Sequence, residues 1–164
     1  MVFALDHLPA TVAPIAADTV LFRRYLSSGG KVVWLGVPPL VWPKDPRTGD
    51  ADYARIDRGA GARLLGVDFT RSNFDAYGNR VTREGRRWGL SGWWESNWSV
   101  DPREVTTVLA QDDNGLAGAW VKSYGGPPGT GFVRIYGGGW NGGSPTPTYA
   151  GIQSVAEYFP MPGR

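Results

Sequence analysis

The segment Val20–Leu35, VLFRRYLSSGGKVVWL, constrains this chain more than any other stretch. Leu21 with Tyr25, and Phe22 with Leu26, recur at i, i+4 spacing while Arg23 and Arg24 fall on the opposite face, the pattern of an amphipathic helix. Gly29 and Gly30 follow the last periodic residue, where a left-handed C-cap favours a residue without Cβ. Lys31–Leu35 is short, β-branched and almost wholly apolar, as expected of a strand covered on both faces. A helix fed through a two-glycine turn into such a strand is half of an α/β unit, so the expected fold class is α/β.

The remaining chain adds elements on either side. Met1–Leu5 is strand-like, and Asp6-His7-Leu8-Pro9 leaves its carboxyl end. Pro9 and Pro14 delay a helix until Asp18, a suitable N-cap. After the loop Gly36–Pro43 and the polar stretch Lys44–Asp52, the segment Tyr53–Leu65 predicts a second helix, weakened by Gly59 and Gly61 and capped by Gly66. Val67–Phe69 begins an extended piece. Tyr77-Gly78-Asn79 has turn chemistry, and residues 70–100 as a whole read as an ordered excursion over the sheet. Val105–Gln111 and Leu116–Tyr124 flank Asn114-Gly115, the strongest short hairpin signal. Gly125–Gly131 turns the chain into Phe132–Tyr136, and Tyr149–Phe159 places Ile152, Val155, Ala156 and Phe159 on one helical face.

Composition removes whole classes of chemistry. The 164 residues are 41% hydrophobic and 20% charged, which fits one globular domain spanning 1–164 with a real core. Cysteine is absent, so a thiol nucleophile, a disulfide framework and a thiolate metal site are excluded together. His7 is the single histidine, which excludes a histidine-based metal cluster. The formal net charge of +2 is spread along the chain, so neither nucleic acid nor a membrane surface is an expected partner. No apolar run is long enough to cross a bilayer and the N-terminus lacks a signal-peptide pattern, while the compartment stays open.

The order of a hydrophobic strand, Asp6-x-x-Pro9, a helix, YLSSGGKVVWLG and ARLLGV resembles the class I glutamine amidotransferase-like superfamily. It is similar above all to non-amidotransferase branches such as trehalose-utilisation-like proteins and β-galactosidase middle domains. The run VLAQDDNGLAGAWVKSYGGPPGTGFVRIYGG is similar to their closing hairpin. The resemblance implies a flavodoxin-like three-layer sandwich, with a mostly parallel sheet and an antiparallel C-terminal hairpin extension. It also implies an N-terminal strand–helix–strand unit that has no counterpart here, as in a fragment of a longer protein. Where true amidotransferases hold their nucleophilic cysteine, this chain has Gly36-Val37-Pro38, so that chemistry is ruled out.

Three places remain as candidate sites. Gly126–Phe132, GPPGTGF, mimics a phosphate-binding loop but has Phe132 and Val133 where lysine and a hydroxyl are needed, which leaves a hairpin turn and no cofactor motif. Asp6 and His7 leave a strand's carboxyl end, where open α/β sheets collect ligands, and histidine is the side-chain type whose unperturbed pKa lies near neutrality. They are the acid/base candidates of an alternative reading, a small hydrolase or sugar-modifying enzyme. Trp42, Trp93, Trp94, Glu95 and Trp98 are the binding candidates, because flat aromatic faces beside carboxylates suit sugar rings. The leading expectation is a non-catalytic domain with a structural, assembly or ligand-binding role and a carbohydrate association. An open edge beside the first strand also predicts self-association or docking of a neighbouring domain.

Overall fold

A computed structural model describes residues 1–3, 19–39, 41–42, 48, 54, 56–70, 72, 75, 77–135 and 147–160. In chain order the elements are β1 (Val2–Phe3), α1 (Thr19–Ser27), β2 (Lys31–Trp34), α2 (Ala60–Leu65), β3 (Tyr77–Val81), α3 (Arg83–Arg87) and β4 (Trp93–Ser96). A 3₁₀ turn at Pro102–Glu104 precedes β5 (Thr107–Asp112), β6 (Ala117–Lys122), β7 (Gly131–Ile135) and α4 (Tyr149–Glu157).

The helix-to-strand unit forms, but only one of the two i, i+4 pairs of its helix is buried. Phe22 and Leu26 of α1 are buried, whereas Leu21 and Tyr25 stay exposed. Gly29 takes φ 86°, and the amides of Gly29 and Gly30 donate to the carbonyls of Leu26 and Tyr25, closing a Schellman C-cap. Every residue of β2 is buried.

The sheet order is β1-β2-β7-β6-β5-β3-β4, and this corrects the flavodoxin-like expectation. Only β1–β2 and β2–β7 are parallel; β7–β6, β6–β5, β5–β3 and β3–β4 are antiparallel. The sheet is therefore mixed and mostly antiparallel, curling into a half-barrel with few helices. The expectation failed between residues 70 and 100. Tyr77–Val81 is a strand rather than a turn, and Trp93–Ser96 pairs with it instead of wandering over the sheet. The second helix is also shorter than expected, since Ile56 and Asp57 are not helical and α2 starts at Ala60; Tyr53 lies outside the described residues. The expected hairpins are present as β5–β6 and β6–β7.

Alternation along the buried strands divides the core in two. Val32, Trp34, Phe132 and Trp120 meet Phe22 and Leu26 of α1 and Leu64 and Leu65 of α2. Val33, Val121, Val133 and Ile135 meet Trp88, Leu90, Trp94 and Val155. Helix α3 approaches the sheet through Gly85, where a Cβ would strike the Leu109 carbonyl oxygen.

The chain after α4 is fastened by Lys31. Its ammonium donates to the Tyr158 carbonyl at 2.7 Å and lies 4.8 Å from the Trp88 ring and 4.5 Å from that of Phe159. Trp88 in turn stacks on Tyr158 with centroids 4.4 Å apart. Burial lowers the Lys31 pKa from 10.5 to about 8. Tyr124, whose hydroxyl donates to the Leu65 carbonyl, has its pKa raised above 10.0 by burial.

Two measurements check this packing. Gly85→Ala should lower stability by about 2 kcal/mol in urea unfolding, because the helix must move off β5; an unchanged midpoint would mean α3 does not sit there. Between pH 8 and 10 the unfolded chain holds the Lys31 proton that the folded chain has released, so stability should rise with pH across that window. Above pH 10 the unfolded Tyr124 phenol ionises first, and stability should fall. Lys31→Met should flatten the rise; an identical slope in wild type and variant would contradict the assignment.

Candidate functional site

The sequence candidates separate into different places. Trp94 is buried in the core cluster shared with Trp88 and Val155. Trp98 is buried with Val37 and Val41, and Trp42 packs on it edge to face, with centroids 6.4 Å apart. Trp93 is 49% exposed, and Glu95 is half-buried. Asp6 and His7 lie outside the described residues. Two of the five binding candidates therefore share one solvent-facing surface, Trp93 and Glu95.

The junction beneath Trp98 is held by Arg134, which sequence reasoning missed. This arginine is fully buried in β7, its Nε donating to the Gly36 carbonyl at 3.2 Å. Its two terminal nitrogens donate to the carbonyls of Trp98 at 3.3 Å and Asn97 at 2.9 Å. Trp98 takes φ 57°, a left-handed conformation that costs a non-glycine residue about 1–3 kcal/mol. The loop after β2 and the segment after β4 thus converge on one guanidinium. The signal was legible in FVRIY, where one arginine interrupts an otherwise apolar strand.

The exposed candidates lie on the outer face of β4, which among the described residues pairs only with β3. Antiparallel register sets Trp93 opposite Arg80 and Glu95 opposite Gly78. On the other side of β3, Gln111 of β5 stands opposite Arg80. Trp93 leans across to Gly78, where an added Cβ would come within 2.7 Å of Nε1 and 2.9 Å of Cζ2. Glycine in mid-strand is thus the residue that lets the indole settle on the sheet. Asp113 follows β5 in the turn, its carboxylate 3.8 Å from Arg80 Nε, with side-chain exposures of 56% and 83%.

Beside this surface is a shallow depression of about 420 Å³, lined by Arg80, Gln111, Asp113 and Gly115 among others. Asp112, also at its wall, is committed to the turn, accepting from the amides of Asn114 and Leu116. Thr82 is likewise committed, donating to the carbonyls of Val108 and Leu109 and capping α3. The side chains that face a visitor are an indole, a guanidinium, an amide and two carboxylates. Arg80, Gln111 and Asp113 could have been found from sequence only by pairing the strands correctly. Among the described residues no group of three or more histidine, aspartate or glutamate side chains could hold a metal ion. No described helix is long and apolar enough to cross a membrane.

No curated protein and no solved structure matches the chain. The model of one protein family matches residues 1–144, a span that includes all seven strands of the described residues and the outer face of β4. On that match the chain belongs to the MJECL34 family.

Proposed function

We propose that this protein is a non-catalytic binding domain that receives a carbohydrate ring on the outer face of β4. One observation carries the reading: Trp93 keeps 49% of its surface exposed while its indole rests on Gly78. A large apolar side chain left open on a strand, yet fixed against backbone, offers a flat face without an ordering cost on binding. The apolar C–H face of a pyranose suits such a plane. Glu95 on the same face of the strand supplies a hydroxyl acceptor at its rim.

Charge supports a neutral ligand over a nucleotide. Glu95, opposite Gly78, and Asp113, beside Arg80, disfavour a phosphate, while Arg80 offsets one of them. The buried tryptophans belong to the scaffold of this reading, since Trp94 and Trp98 have almost no surface to offer.

Trp93→Ala tests the proposal on a glycan array beside the wild type. Binding should fall at least about tenfold, equivalent to about 1.4 kcal/mol, with the fold retained by circular dichroism. Equal binding by both proteins would sink it, as would an array on which the wild type binds nothing.

A further inference from the structure

We infer that the surface at Trp93 continues into a second sugar subsite, formed by Arg80, Gln111 and Asp113, and that the ligand is a neutral oligosaccharide of two or more rings. This rests on the reading of Trp93 as a sugar platform. The register carries the extension. Trp93, Arg80 and Gln111 stand opposite one another on three adjacent strands. At about 4.8 Å between neighbouring strands, the row from Trp93 to Gln111 covers about 10 Å, the length of two linked pyranose rings. The depression of about 420 Å³ opens at the Arg80–Gln111 end of that row.

The side chains there have hydrogen-bonding capacity to spare. Arg80 and Asp113 face each other at 3.8 Å, beyond hydrogen-bond length, and both are exposed. A carboxylate can accept from two vicinal hydroxyls, and a guanidinium can donate to a ring or hydroxyl oxygen. Gln111 uses one amide hydrogen on the Gly115 carbonyl at 3.2 Å and keeps its side-chain oxygen as an acceptor. Arg80 and Asp113 cancel in charge, which favours uncharged hydroxyl-rich rings over uronic or sulfated ones. Gly115 lines the depression itself, and the Trp93 indole reaches over Gly78 on the neighbouring strand.

Isothermal titration with glucose, mannose and N-acetylglucosamine, and with their β-1,4-linked di- and tetrasaccharides, separates the two claims. The wild type should bind the best tetrasaccharide at least about tenfold more tightly than its monosaccharide. Asp113→Asn and Gln111→Ala should erase most of that gain, and Trp93→Ala should abolish binding of every length. All three substitutions lie on exposed side chains, and unchanged unfolding midpoints would confirm intact protein. Tetrasaccharide binding that Asp113→Asn and Gln111→Ala leave intact, or no gain with length, would overturn the second subsite while leaving Trp93 as the platform. A wild type that binds none of these sugars, with a blank glycan array, would overturn both.

Discussion

The Arg134 guanidinium is the interaction on which the arrangement of this molecule depends. It sits in the middle strand of the sheet's mixed region, parallel to β2 on one side and antiparallel to β6 on the other. Its acceptors are the carbonyls of Gly36, Asn97 and Trp98, each from a segment that leaves a strand end. Backbone carbonyls at such ends would otherwise be buried without donors, at a cost of about 1–3 kcal/mol each. One cation satisfies three of them and so decides where two loops run. The left-handed turn at Trp98 is held by the same contact together with Val37, Val41 and Trp42. Because that turn follows directly on β4, the position of the outermost strand is set from the core.

The parts of the fold legible in sequence were those written in neighbouring residues. Gly29-Gly30 after Leu26, and Asn114-Gly115 between two β-rich runs, specify a cap and a turn without reference to anything distant. Strands β3 and β4 were illegible for the opposite reason. Gly78 and Asn79 are poor strand residues by propensity, yet Gly78 lies under Trp93 and Asn79 donates to Ser96 Oγ across the pair. Their strand conformation is a tertiary outcome. Parallel against antiparallel pairing is equally non-local, and the family resemblance supplied the wrong partner order for it.

The candidate site was legible only in part. Eight tryptophans announce aromatic surface but not which side of a sheet each one takes. Neighbours Trp93 and Trp94 alternate along β4, one exposed and the other 1% exposed, so a single residue of register separates platform from core. Arg80, Gln111 and Asp113 join Trp93 only through pairings between separate strands, and none of the four is close to all the others in sequence.

The mixed pairing around β7 also has a kinetic side. Strands β5, β6 and β7 are consecutive hairpins, so their contacts close short loops and can form early. The opposite flank requires Lys31 to find Gly131, with most of the chain between them. One side of the sheet is therefore quick to assemble and the other slow. The bare flank of β7 is the surface that the nascent chain must keep from foreign strands until β2 arrives.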